Sequence, residues 1–203
     1  VFEKYKERVV MNRSEEKKEK ILKIAQIQFS KYGLFKTSID DIARVARMGK
    51  SSIYYYFQSK EDIFKSVLEK EMSLLLDKIT TAINAAKTPC GKLREFILTR
   101  MKSVKELANI YSTLRDEYLV HHAFIQKFRE NFDKKEISII NSILSDGVNK
   151  NEFSINDLEL TSFAIGTAVK GLEYEWAIKV DEKDIEKNIN SLLDVLFFGI
   201  VKK

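Results

Sequence analysis

Proline occurs once, cysteine once and glycine only seven times in 203 residues, and each scarcity excludes something. So few breakers leave room for long uninterrupted helices and little for tight turns. Val-rich alternating runs are scarce too, and the pattern predicts an all-helical protein. The single Cys90 has no partner for an intramolecular disulfide, which fits a reducing cytoplasm, and its expected role is that of a small filler. The longest apolar run, VLFFGIV at 195–201, falls well short of the roughly 20 residues a bilayer requires. The opening stretch VFEKYKERVVMNRSEEKKEK is charged throughout and lacks the apolar core of a secretion signal, so a cytoplasmic location is expected.

Catalytic signatures are missing as well. There is no glycine-rich phosphate loop and no nucleophile elbow. A di-iron bundle needs Glu-x-x-His pairs, and neither His121 nor His122 has Glu three positions before it. As neighbours on a helix those histidines point about 100° apart and do not share a metal by themselves. No catalytic residue, metal or cofactor is expected.

What is present is a chain 44% hydrophobic and 32% charged, enough for one or two globular domains with a sizeable core. Its net charge of +5 is unevenly placed. Residues 1–64 hold 14 basic against 9 acidic side chains, whereas residues 65–203 hold 21 of each. All of the excess positive charge sits in the first third, which favours an N-terminal module that meets a large anion such as nucleic acid.

Ser14 with Glu15 and Glu16 reads as a helix start, and Ile21, Ile24, Ala25 and Phe29 give one apolar face. Gly33 suits a left-handed cap at its end. Residues 1–13 either extend this helix through Phe2, Tyr5 and Val9 or are upstream sequence. Thr37 and Ser38 cap a short helix with Ile39, Ile42, Ala43 and Ala46 inward. After Arg47-Met48-Gly49 an equally short one runs from Lys50 to Phe57, and Ser59 caps a much longer helix. Two short helices joined by about three residues are the pattern of a helix-turn-helix.

The third segment, SSIYYYF, carries three consecutive tyrosines that cannot all face inward. With Ile53 and Phe57 inward, their mean direction lies at about 20°, Ser51 at about 160° and Tyr55 at about 200°. Tyr54 and Ser52 flank that outer face, and Tyr56 lies nearer the core edge. Serines, tyrosines, Lys50 and Lys60 on such a surface suit a duplex: hydroxyls and ammonium groups reach phosphates, and the outermost side chains reach base edges. The start of the long helix at Ser59-Lys60 adds N–H groups that suit another phosphate.

From about Ile21 to Ile63 the segment ILKIAQIQFSKYGLFKTSIDDIARVARMGKSSIYYYFQSKEDI resembles the TetR family of bacterial transcriptional regulators. The ordered set is F-x-x-x-G, a T-S cap before D-D-I-A, and I-Y-x-Y-F-x-S-K-E, over about a fifth of the chain. The resemblance implies that Lys50, Ser51, Ser52, Tyr54 and Tyr55 lie on a recognition helix, Tyr54 on phosphate and Tyr55 nearest the bases. It places Thr37, Ser38 and Lys60 where the family grips the DNA backbone. Arg47 stands where the family commonly has glycine, Gly49 replaces a capping serine, and Ser51-Ser52 replaces a frequent glycine-threonine pair.

By the same resemblance, residues 1–60 form an N-terminal extension and three-helix DNA-binding domain, and residues 61–203 a larger helical domain for effector binding and dimerisation. Thr88-Pro89-Cys90-Gly91 reads as the clearest loop, with helices at about 91–109, 112–119, 124–147, 157–180 and from 182 onward. The last helix carries more apolar surface than one face needs, including Leu192, Leu196 and Phe197. The one before it has a stripe of small residues at Ala164, Thr167, Ala168 and Gly171. The resemblance implies that these helices pair with their symmetry mates, a homodimer that reads a quasi-palindromic double-stranded operator. It also implies an effector pocket in which Met101, Tyr111, Tyr118, Phe124, Tyr174 and Trp176 line a mainly apolar cavity for a small molecule that releases repression. The alternative is a helix-turn-helix regulator with no small-molecule effector, or one controlled by a protein partner.

Overall fold

The computed structural model describes residues 2–107, 109, 123–179 and 182–198, and nearly all of these are helical. Helix α1 (Phe2–Lys36) runs straight through the expected start at Ser14, so residues 2–13 extend it. Ile21, Leu22, Ala25 and Phe29 form its buried stripe, with Leu22 taking the place expected for Ile24, which is only half-buried. Gly33 breaks the helix, as its position suggests, but not as a left-handed cap. Its φ of 81° with ψ of 164° lies in a region open to glycine alone, and a last short turn follows it.

Helices α2 (Ile39–Ala46) and α3 (Lys50–Tyr56) follow. At eight and seven residues neither would persist alone in water, so tertiary burial must hold them. Ile42, Ala43 and Ala46 of α2 and Ile53 of α3 supply it, joined by Phe57 just beyond α3. Helix α4 (Lys60–Ala85) sends Ile63, Phe64, Val67 and Leu68 into the same core, where the Phe64 ring meets Phe29 edge-on at 5.1 Å. Gln26 also donates to the Glu71 carboxylate at 3.0 Å. The chain divides into compact units at residues 1–71 and 72–203. The first thus reaches about three turns past the helix start at residue 60 that sequence suggests as a boundary.

The second unit comprises the rest of α4 with α5 (Pro89–Glu106), α6 (Ala123–Asn149), α7 (Leu158–Lys179) and α8 (Glu182–Phe198). The Thr88–Gly91 stretch expected to be a loop is a helix start instead. Thr88 is the N-cap, its hydroxyl accepting from Gly91 N–H at 3.0 Å, and Pro89 occupies the first turn, where a missing N–H costs nothing. Asp157 caps α7 by accepting from Leu160 N–H at 2.9 Å, as its position predicts. Helices α6 and α7 approach through Gly166, where an added Cβ would stand 3.1 Å from Ile137. Between α5 and α6 the buried Arg100 and Glu136 form an ion pair, and the guanidinium lies 5.8 Å from the centre of the Phe132 ring. Arg94 on α5 pairs with Glu186 on α8 at 2.8 Å, which holds that carboxyl below its ordinary pKa.

The turn between α2 and α3 carries local strain. Arg47 adopts φ 53°, ψ 47°, the left-handed region that a side chain resists. Glycine there would remove ~1–2 kcal/mol of strain but forfeit ~0.4–1 kcal/mol through its freer unfolded chain, so Arg47→Gly should stabilise the protein by about 0.5–1 kcal/mol. Chemical denaturation of the two proteins checks this, and a variant no more stable than wild type would place no strain at the turn.

Candidate nucleic-acid interface

The burial of Ile53 and Phe57, 0% and 2% exposed, sets the rotation of α3. Tyr55 on the opposite side is 79% exposed and Tyr54 is 49% exposed. Ser51 is exposed, and Ser52 and Tyr56 are half-buried. The Tyr55 and Tyr56 rings meet edge-on at 4.9 Å, so the outermost tyrosine is braced by its neighbour. The outward surface of α3 is therefore built of serines and tyrosines and is rich in hydroxyls.

Two expected backbone-gripping positions behave differently from each other. Thr37 is 2% exposed, and its hydroxyl donates to the Gly33 carbonyl at 2.8 Å and to that of Gln28 at 3.3 Å. It closes the end of α1 rather than capping α2, and its side chain is not placed to grip a phosphate. Ser38 is exposed and is the true N-cap. Its hydroxyl accepts from Asp41 N–H at 3.1 Å while the Asp41 carboxylate accepts from Ser38 N–H at 3.1 Å, a reciprocal capping box. The Ser38 hydroxyl, followed by the Ser38 N–H, holds the Asp41 carboxyl below the usual carboxylate range.

Lys50 pairs with Asp40 across 2.9 Å, and that hydrogen bond raises the lysine pKa. Its ammonium must exchange an exposed carboxylate for any phosphate, and a solvent-exposed pair of this kind gives way readily in water. Lys60 sits half-buried at the first turn of α4. Of the N–H groups expected to be free there, that of Asp62 is taken by Ser59 Oγ at 3.1 Å, and the Asp62 carboxylate accepts from Gln58 N–H at 3.1 Å. Gly49 caps α3 without a side-chain acceptor, as its identity requires.

Sequence reasoning missed two cations. Arg13 and Lys17 of α1 line a groove of about 530 Å³ together with Ser51, Ser52, Tyr55 and Tyr56 of α3. The signal that could have found them is the i, i+4 spacing of the two basic residues, with Glu15 and Glu19 on the other side of the helix.

In the second unit the expected sites fare unevenly. Met101 is fully buried and Phe124 half-buried. Tyr111 and Tyr118, like His121 and His122, lie outside the described residues, as do the side chains of Tyr174 and Trp176. Ala164, Ala168 and Gly171 are exposed along α7, and Gly171 has open space where a Cβ would stand. The small-residue stripe therefore makes no close helix approach among the described residues of this chain, a role that falls to Gly166. Ala164, Ala168, Leu192 and Leu196 line an apolar groove of about 310 Å³. Phe163 at 57% and Phe198 at 76% exposure, with Leu160 and Val195, extend this apolar surface over α7 and α8. Phe197 is half-buried and stacks on Phe153, ring centres 6.1 Å apart. No described helix is long and apolar enough to cross a membrane.

Comparisons with known proteins agree with this layout. Residues 21–67 match the family model for bacterial regulatory proteins of the tetR family, and residues 71–202 match that for the C-terminal region of QacR-like proteins. The chain is 26% identical over 159 residues to the HTH-type transcriptional regulator QacR of Staphylococcus aureus, covering 76% of this chain and 83% of that one. It is 22% identical over 189 residues to the "probable acrEF/envCD operon repressor" of Escherichia coli, covering 87% and 83%. Among solved structures, the transcriptional regulator FadR of Bacillus subtilis in complex with stearoyl-CoA matches with a TM-score of 0.73 at 23% identity, over 90% of this chain and 98% of that one.

Proposed function

The chain belongs to the TetR family of bacterial transcriptional regulators, and from that membership we propose a repressor that binds a quasi-palindromic operator as a homodimer and is released by a small, largely apolar effector. The observation that carries the DNA reading is the outward face of α3, with Tyr55 fully presented opposite Ile53 and Phe57. In this reading Tyr55 meets base edges in the major groove. Tyr54, Ser51, Ser52, Lys50 and Lys60 fix the register on phosphates, with Ser38 at the start of α2 beside them. Thr37 serves by holding the end of α1 rather than by touching DNA. The name of the Escherichia coli relative, an operon repressor, supports repression as the sign of the response.

Selection of bound sequences from random duplex DNA tests this reading, and a quasi-palindrome is the expected product. Tyr55→Ala should bring affinity for that site down toward the level of unrelated DNA, by about 1–3 kcal/mol for each base the tyrosine reads. Lys60→Ala should weaken binding to all sequences and reduce the salt slope by about one. Equal losses on selected and unrelated DNA for both variants would refute the division of labour.

A dimer follows from the size of the reading head, because one seven-residue helix reads only a few base pairs. The exposed apolar side chains of α7 and α8, with the apolar groove lined by both, support these helices as the self-association face, since grouped exposed apolar surface marks interaction sites. Leu196→Glu should yield monomers at micromolar concentration in sedimentation. With the second head no longer tethered, operator affinity should fall by about 100-fold or more. A wild-type protein that is monomeric with and without operator would contradict the proposal.

The effector reading draws on the interior of the second unit. Phe96 and Met101 on α5 and Phe132 on α6 are buried on the two helices that bring Arg100 and Glu136 together, a mainly apolar interior with that ion pair as a polar anchor. The stearoyl-CoA bound by the Bacillus subtilis structure adds support for an apolar ligand. A ligand changes operator affinity only by favouring one arrangement of the paired heads over the other, and α4, which contributes to both units, is the connecting element. A panel of apolar ligands, long-chain acyl thioesters included, should contain one that lowers operator affinity about 5- to 150-fold. Operator binding indifferent to the whole panel would favour the alternative of a regulator without such an effector.

A further inference from the structure

The groove lined by Arg13 and Lys17 of α1 and by the hydroxyl face of α3 lies within the first unit and has a chemical character of its own. Arg13 and Lys17 stand one turn apart and both are exposed. Taking their mean direction as zero, Glu15 points about 180° away, Glu19 about 140° and Glu16 about 80°. Glu19 is further occupied by an ion pair with Lys70. Neighbouring Lys18 is turned over the Phe57 ring, 5.6 Å from its centre, and so is drawn out of the groove. No carboxylate among the described residues pairs with Arg13 or Lys17, whereas Lys50 of α3 is already paired with Asp40. The α1 wall of the groove therefore carries two uncompensated positive charges facing the serine and tyrosine hydroxyls of α3.

We infer that this groove receives the sugar-phosphate backbone of one DNA strand beside the major groove entered by Tyr55, with Arg13 and Lys17 each on a phosphate. The inference rests on the DNA reading above and extends the binding surface from α2, α3 and α4 to α1. Ser51, Ser52 and Tyr56 donate hydroxyl hydrogens from the facing wall, so a single strand is held from both sides while Tyr55 stays on the bases. A polyanion fits better than a small free anion. The two cations are exposed and spaced along the helix, so they can serve successive phosphates but enclose nothing. Because phosphates carry no sequence information, the contribution is to affinity and register and not to base preference.

The test is a salt titration of operator and unrelated-duplex binding by Arg13→Ala, Lys17→Ala and the double variant. Both side chains are exposed, so melting curves should match wild type and separate binding from folding. The double variant should lose about tenfold or more in affinity for both DNAs alike, with the slope of log affinity against log salt reduced by about two units. Lys17→Glu should lose more than Lys17→Ala. A double variant with wild-type affinity and slope, alongside impaired Tyr55→Ala and Lys60→Ala, would overturn the inference and leave the DNA reading standing. A loss confined to the selected operator would overturn the phosphate assignment in favour of base readout. Failure of the wild-type protein to bind any duplex would bring down the DNA reading and this inference with it.

Discussion

Two buried side chains one turn apart, Ile53 and Phe57, determine which way a seven-residue helix faces. Each contributes ~1.5–3 kcal/mol when removed from water, more than such a short helix can supply from its own hydrogen bonds. They belong to the buried core of the first unit, inside which Phe29 and Phe64 meet edge-on. The same burial that makes α3 exist therefore also aims it. A change of register by one residue would rotate the helix by about 100° and exchange Tyr55 for Tyr54 at the outermost position.

Around that constraint the polar groups divide into those that finish helices and those left for a partner. Ser38 with Asp41 and Ser59 with Asp62 cap α2 and α4, and Thr37 ties its hydroxyl to the end of α1. These groups hold the short elements at their ends, where backbone N–H and C=O groups would otherwise be unsatisfied. What remains on the surface for a partner is the hydroxyl face of α3 and the cations beside it. Asp40 tempers this by neutralising Lys50, which lowers the positive field on α3 without abolishing it. Arg47 shows the opposite compromise: a strained left-handed residue that keeps a charge where glycine would remove the strain.

Much of the first unit is legible in the sequence because its signals are local. The period of Ile53 and Phe57, the serine caps and the position of the break at Gly33 all follow from spacings of one to four residues. Misreadings there arise from competition between equivalent signals. Ser14 reads as a cap only until a longer helix runs through it, and Thr37 reads as a cap until its neighbour Ser38 takes the place and burial turns Thr37 inward. Pro89 suggests a loop for a related reason, since proline both ends helices and starts them, and only the Thr88 hydroxyl on Gly91 N–H decides which. The groove beside α3 escapes a sequence reading because it joins residues of two separate helices, a distance over which periodicity says nothing.

The second unit is less legible because burial and exposure there are decided between helices far apart in sequence. The stripe Ala164, Ala168 and Gly171 has the spacing of a packing face, yet in the chain it is Gly166, off that stripe, that admits Ile137. An apolar stripe on its own says that a face will be covered; it does not say by what. Here the two faces of α7 separate the alternatives. One holds Ile165 and Val169 in the core, and the other leaves Leu160, Phe163 and the small residues in water. A helix with two apolar faces needs two neighbours, and the described residues of the single chain cover one. That surplus, set against the single buried direction of α3, is the physical reason the partners proposed for the two units differ: a wet, hydroxyl-rich face suits a charged duplex, and a dry one suits a second copy of the chain.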